Sequence, residues 1–302
     1  MRPPVVHHPA YVTPLPATHR FPMPKFARLL ACLRETGLLL PAQEFVPQPA
    51  PRSWLETAHS VDYVAGVLEQ RLDEAAVRRL GLPMSPVLAM RSRCAVAGTV
   101  LTARLALEHG IACNTAGGSH HAFSGFGAGF CVFNDVAVAS RLLLAEGAVR
   151  RILVVDLDVH QGDGTAAMLA EEPRAFTLSV HCRSNFPARK QQSDLDVALD
   201  AEVGDADYLE LIDRLLPALL DRVRPELVFY NAGVDPHRED RLGRLALTDA
   251  GLAKRERLVL EAVRSRGLPL ACVVGGGYAD DLDVLARRHA LLHEAIAALP
   301  SW

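Results

Sequence analysis

Ile152 to Leu157 is a β-branched apolar run of the kind that lies buried on both faces of a parallel sheet. Its carboxyl end carries Asp156, Asp158, His160 and Asp163 within eight positions. Carboxylates and an imidazole there cost solvation energy unless something charged meets them. In open α/β sheets the crevice beyond the carboxyl ends of the strands is where ligands bind. The stretch therefore demands a fold that brings a cation, or a set of partners, to one strand end.

The surrounding pattern supplies such a fold. Ile111–Thr115, Ala175–His181, Leu227–Asn231 and Leu270–Val274 read as further strands. Helices are predicted between and after them, over 134–147, 165–171, 206–223, 252–266 and 279–299. Upstream, helical spacing predicts helices over 25–37, 61–79 and 92–110, the last nearly apolar all round and stopped by His109-Gly110. Alternating strands and helices predict a single α/β domain over residues 1–302, its central sheet mainly parallel and covered by helices on both faces. Residues 1–24 are Pro-rich and are expected to wrap over that domain, with His7 and His8 structural or exposed.

Composition narrows the chemistry. The formal charge of −3 gives no electrostatic reason to expect nucleic acid or a membrane surface as partner. No apolar run is long enough to span a bilayer and no secretory leader is visible. The six cysteines are scattered without a Cys-x-x-Cys pair, which suits a reducing cytoplasm and argues against a thiolate metal site. Any metal would be held by His and carboxylate. The basic segment Lys254-Arg255-Glu256-Arg257 has acidic residues interleaved and an apolar stripe beside it, so it is expected to be a solvated outer helix face.

Four loops that follow strands carry groups a folded core would not accept alone. They are Gly117-Gly118-Ser119-His120-His121, the Asp156–Asp163 cluster, Gly233-Val234-Asp235-Pro236-His237 and Gly275-Gly276-Gly277-Tyr278. A parallel sheet delivers all four to one edge. Asp158 and His160 project to the same side of an extended chain, and Asp235 would be a third ligand from another strand end. Three protein ligands with an open position make a catalytic site for zinc or another first-row metal. His120 and His121 diverge as neighbours, which suits acid/base work better than metal ligation, and Asp156 and Asp163 remain to orient the two rings. The Gly triplet alone would be only a tight turn; at the shared edge it presents the Tyr278 phenol to a developing oxyanion. The reaction class that follows is metal-assisted hydrolysis of an amide or ester.

These motifs, together with Gly129-Phe130-Cys131-Val132-Phe133-Asn134-Asp135 and Asn231-Ala232-Gly233-Val234-Asp235, closely resemble the zinc-dependent histone deacetylase family of the arginase/deacetylase superfamily, from about residue 15 to 295. Gln161, His19-Arg20-Phe21-Pro22-Met23-Pro24 and Asp235-Pro236-His237 look most like its class IV and related bacterial branch. The resemblance implies zinc held by Asp158, His160 and Asp235, with one ion per site. It implies His121 paired with Asp163 as general base and then acid, His120 paired with Asp156 as electrostatic partner, and Tyr278 polarising the carbonyl. Gly129, Phe130 and Phe186 would form the acyl-lysine slot, and Arg20 would belong to an internal product channel. A structural potassium ion is implied near Asp156, Asp158, His160, Ser179 and Val180. The loop Gly81-Leu82-Pro83-Met84-Ser85-Pro86 offers none of the carboxylates with which many class I members hold the substrate backbone.

The expected substrate is thus an acyl-lysine protein or peptide, carrying acetyl or a longer acyl group. The alternatives are an acylpolyamine or other small-molecule amidohydrolase, an arginase-like dinuclear manganese enzyme, and a metal-stabilised binding scaffold.

Overall fold

In a computed structural model the structure describes residues 2–16 and 18–300. Eight strands form one all-parallel sheet: β1 (Val5–Val6), β2 (Glu44–Phe45), β3 (Ile111–Asn114), β4 (Ile152–Asp156), β5 (Ala175–Cys182), β6 (Leu195–Leu199), β7 (Leu227–Asn231) and β8 (Leu270–Val273). Their spatial order is β2-β1-β3-β8-β7-β4-β5-β6. The five strands read from sequence are all present; β1, β2 and β6 were not legible. Two of these, β1 and β2, have two residues each, too short to show a period, and β6 is half-exposed, so no continuous apolar run marks it.

The apolar runs occupy the central strands because both faces are covered. Ile152 and Val154 enter one core while Leu153 and Val155 enter the other, and Leu227 and Phe229 alternate with Val228 and Tyr230 in the same way. Helices Lys25–Glu35, Pro86–His109 and Asp135–Ala145 cover the first face. Helices Asp205–Val223, Asp249–Arg264 and Leu282–Ala298 cover the second. Among the described residues, no helix is long and apolar enough to cross a membrane.

Three expectations need correction. The helix expected over 61–79 is two, Val61–Leu68 and Glu74–Leu80, because Gln70 turns to φ 59° and Asp73 caps a new start by accepting from the Ala76 N–H at 2.7 Å. The long buried helix begins at Pro86, where Ser85 caps Leu88 and proline takes the first helical position. In helix Asp249–Arg264, Lys254 and Arg257 are exposed as expected, but Arg255 and Glu256 are buried. Arg255 ion-pairs with Glu256 at 2.5 Å and donates to the Gly233 carbonyl at 2.7 Å, while the Tyr230 hydroxyl donates to Glu256 at 2.7 Å. A paired, hydrogen-bonded charge can be buried where a lone one cannot.

The Pro-rich leader does more than wrap. Val5 and Val6 pair with both β2 and β3. His7 hydrogen-bonds Thr115 Oγ1 at 2.7 Å, and His8 Nδ1 accepts from the Ala10 N–H at 2.9 Å, so both histidines are structural.

His59 links the fold to pH. Its Nε2 accepts from the Asn134 N–H at 3.0 Å, which leaves Nδ1 to donate to the Phe123 carbonyl at 3.0 Å. Only the neutral ring makes both bonds, and burial lowers its pKa to about 4. The unfolded chain takes up this proton near pH 6.5 and the folded chain resists it until about 4. Stability is therefore full above pH 6.5 and falls as pH drops toward 4, by about 3 kcal/mol from this group. Urea unfolding followed from pH 7 to 4 should show that loss, and His59→Gln should flatten the slope.

Candidate metal centre and active site

Because β3, β8, β7 and β4 are neighbours in the sheet, their four following loops meet in one crevice. The His120–His121 loop is held there from behind. Asp135, buried at the start of helix Asp135–Ala145, accepts from the Gly118 N–H at 3.0 Å, the Ser119 N–H at 2.7 Å and the Thr99 hydroxyl at 2.5 Å. Asn134 caps that helix and donates to the Ala122 carbonyl at 3.2 Å. These bonds anchor the loop's backbone from behind, and both imidazoles turn into the crevice.

Asp158, His160 and Asp235 converge with ligand atoms within 4.8 Å of one another, and all three are buried. His160 Nδ1 lies 3.1 Å from Asp158 Oδ1 and 3.1 Å from Asp235 Oδ2. One ring nitrogen has at most one proton, yet two carboxylates aim at it. The second oxygen of each carboxylate is tied back: Asp158 Oδ2 accepts from the Gly276 N–H at 2.7 Å, and Asp235 Oδ1 from the Val159 N–H at 2.8 Å. Tetrahedral ligands 2.0–2.1 Å from a zinc-sized ion would lie about 3.3 Å apart, so this spacing and donor set fit such an ion. The electrostatics agree. Burial opposes a charge on His160, but Asp158 and Asp235 outweigh it and raise the ring to about 10. Burial and the charge of Asp158 push Asp235 up to about 7. The point where the three groups meet favours a cation.

The two tandem histidines differ. His120 Nδ1 meets Asp156 Oδ2 at 2.7 Å, and His121 Nδ1 meets Asp163 Oδ1 at 2.6 Å. Burial would lower His120, but Asp156 and Asp158 override it and raise the ring to about 9. Burial and the neighbouring charge of His120 lower His121 to about 4, against the pull of Asp163. At neutral pH one ring is a fixed cation and the other a free base. Only His121 faces the outer slot; both face a smaller cavity behind it.

The outer slot has a volume of about 490 Å³, with His121, His160, Phe130, Phe186 and Tyr278 in its walls. Gly129 at φ 54° and Phe130 at φ 67° turn in succession and aim the Phe130 ring inward. A Cβ on Gly129 would come 2.6 Å from His121 Cδ2, so only glycine lets the two loops touch. Phe186 is half-exposed, with its ring perpendicular to His121 at 4.7 Å. Tyr278 lies 6.3 Å from the His160 ring, and burial with the charges of Asp235 and Asp158 keeps its phenol protonated. Its backbone N–H donates to Asp240 Oδ2 at 2.7 Å.

Arg20 is placed otherwise than expected. It is exposed at the slot's mouth, 6.0 Å from the Phe130 ring centre, and is not among the residues that line the inner cavity. A side chain there keeps its charge in water. The buried cations behind the site are Arg91, which lines the inner cavity, and Lys25. Lys25 Nζ donates to the Gly275 carbonyl at 2.9 Å and bears on the Tyr278 ring at 5.6 Å. Burial lowers this amine to about 8, against the pull of Asp235 and Asp158.

Of the residues named for potassium, Asp156 and Ser179 face each other across β4 and β5, and Asp156, Asp158, His160, Ser179 and Val180 are all buried. Ser179 Oγ lies 3.1 Å from His181 Nδ1. Sequence reasoning assigned no role to Asn231, Asp135, Asp240, Lys25 or Arg91, and gave Gly276 only a place in the turn that presents Tyr278. Asn231 donates to Asp156 Oδ1 at 2.9 Å, and its place at the last residue of a strand was the available signal. Gly276 is required by close approach: a Cβ there would run into Asp235 Oδ2, which faces His160, and Asp158 Oδ2, which the Gly276 N–H ties back.

The chain is similar to known proteins in sequence and in fold. Residues 19–295 match the histone deacetylase domain family. An uncharacterized protein of Picosynechococcus sp. is 54% identical over 97% of both chains. Histone deacetylase 2 of Arabidopsis thaliana is 29% identical, covering 89% of this chain and 74% of that one. Histone deacetylase 1 of Oryza sativa subsp. japonica is 33% identical, covering 82% of this chain and 51% of that one. The solved structure of a histone deacetylase homologue complexed with SAHA superposes with TM-score 0.83 at 25% identity, over 98% of this chain and 84% of that one.

Asp158→Asn and Gly276→Ala should bring zinc content close to zero, while Asp163→Asn, whose partner is His121, should retain it; metal analysis after dialysis reads the difference. Protons on His160 and Asp235 compete with the metal, so affinity should climb with pH from 6 to 8, by up to about tenfold per unit for each proton displaced. A chelator competition titration checks this, and a flat profile would refute it.

Proposed function

The chain belongs to the histone deacetylase family, and from that premise we propose that it is a zinc-dependent amidohydrolase removing short acyl groups from the lysine side chains of proteins. The observation that carries the reading is that a free base and a phenol both lie beside the ligand cluster: the rings of His121 and Tyr278 are 5.8 and 6.3 Å from that of His160.

Asp158, His160 and Asp235 would hold the zinc, which when bound supplies a Lewis acid for activating water and polarising an acyl carbonyl. His121, neutral and braced by Asp163, takes the proton of the attacking water and returns one to the lysine nitrogen as the amide C–N bond breaks. His120, held charged by Asp156, adds a fixed positive field beneath the reacting carbonyl. The Tyr278 hydroxyl donates to the carbonyl oxygen as it gains charge. Phe130 and Phe186 flank the lysine methylenes. The products are a carboxylate and a free lysine amine. The cluster Asp156, Asp158, His160, Ser179 and Val180 is proposed to hold a structural potassium ion, for which their joint burial where the end of β4 pairs with β5 is the support.

The cavity behind His120, His121 and Tyr278 measures about 30 Å³, room for roughly two water-sized groups, which supports acetyl over a long acyl chain. Among the described residues only one cluster of His, Cys, Asp and Glu meets at ligand distance, which supports one metal per site over a dinuclear centre. No carboxylate lines the slot to receive a polyamine tail.

Tyr278→Phe should lower kcat by about 10²–10³-fold, or ~2.7–4 kcal/mol, with zinc content unchanged. Peptides bearing acyl-lysines from acetyl to long fatty acyl should be cleaved fastest at acetyl, lose turnover to chelator and regain it with zinc. A long-chain optimum would overturn the short-acyl assignment, and unaltered turnover in Tyr278→Phe would remove the phenol from the mechanism.

A further inference from the structure

The mouth of the slot has a charge that the hydrolytic chemistry does not use. Five arginines line it, Arg20, Arg78, Arg79, Arg241 and Arg244, and no aspartate or glutamate does. They come from three separate segments: the leader, the end of helix Glu74–Leu80 and the loop after β7. In a chain of net charge −3 this is a local concentration of positive charge. Arg78 pairs with Glu74 at 3.2 Å and Arg241 pairs with Asp280, so two of the five are neutralised locally. Arg20, Arg79 and Arg244 are exposed and have no carboxylate partner among the described residues. Two of the three are also oriented: Arg20 lies 6.0 Å from the Phe130 ring centre and Arg79 lies 4.7 Å from that of Phe126.

We propose that this rim selects acyl-lysines flanked by acidic residues, with Arg20, Arg79 and Arg244 as the specificity-determining groups. The inference rests on the lysine deacylase reading above and names its substrate class. A peptide whose acyl-lysine fills the slot must lay its neighbouring residues over the mouth. Guanidiniums pair with carboxylates there in forked geometry, whereas lysines and arginines beside the acyl-lysine would meet like charge. Histone-tail-like basic segments are on this account poor substrates. Because the contacts are exposed, they act chiefly on encounter and KM and are screened by salt.

The experiment uses the zinc-loaded full chain with acetyl-lysine peptides of equal length whose flanking residues are glutamate, alanine or lysine. The glutamate peptide should exceed the lysine peptide by about tenfold or more in kcat/KM at low salt, mostly through KM. The gap should close toward 0.5 M salt. The variant R20E/R79E/R244E should reverse the order. Binding is read separately by fluorescence anisotropy of the same peptides without the acetyl group, where the glutamate peptide alone should show salt-sensitive binding. Turnover with no preference among flanks would overturn the rim's role and leave the deacylase reading standing. Salt-sensitive binding of the glutamate peptide with no turnover of any acyl-lysine would do the reverse. Tighter binding of a single-stranded oligonucleotide than of the glutamate peptide at equal salt would also overturn the assignment to acidic protein segments.

Discussion

Everything in the crevice depends on two buried carboxylates aimed at one imidazole nitrogen. Asp158 and Asp235 are almost fully buried, and each sends one oxygen to within 3.1 Å of His160 Nδ1. Left alone, such an arrangement would repel itself apart or take up protons. Its persistence rests on backbone N–H groups that tie the outer oxygens: Gly276 for Asp158 and Val159 for Asp235. The β4–β7–β8 order puts those donors within reach: Val159 follows β4 beside the end of β7, and Gly276 follows β8 on the other side of β7.

The same negative charge sets the character of the neighbouring rings. His120 lies 3.8 Å from Asp158 as well as against Asp156 and becomes a cation; His121, one residue on, lies against Asp163 and beside that cation and stays neutral. Two identical side chains thus acquire opposite roles from position alone. Beneath the crevice, Arg255 donates to the carbonyls of Leu157 and Gly233, the residue before one ligand and two before another. Its charge is balanced by Glu256 and not by the ligands, so it braces the strand ends without drawing on the carboxylates that meet His160.

Much of this was legible because burial leaves a strong mark on sequence. Ile152–Asp156 and Leu227–Asn231 are apolar at every position but the last, since both faces are covered, and their polar last residues announce the site. The helix start at Ser85-Pro86 carries an equally local mark, a serine cap followed by proline at the first helical position. Arg20 shows the opposite case: a motif likeness carried it to an interior channel, whereas its side chain lies exposed at the mouth and the buried cations behind the site are Lys25 and Arg91. Nothing local distinguishes a buried Lys25 or Arg255 from an exposed one. What decides is whether carbonyls and carboxylates from distant segments, such as Gly275 for Lys25, are there to receive the charge.

By itself the sequence determined a mainly parallel α/β architecture, the four loops at one edge and the residues able to hold a metal, because period and residue chemistry are properties of short stretches. The tertiary structure alone decided which loops are neighbours, which histidine is charged, how little room lies behind His120, His121 and Tyr278 and that arginines from three segments crowd the mouth. These depend on distances between residues far apart in the chain, and an electrostatic field or a cavity has no existence until those distances are set.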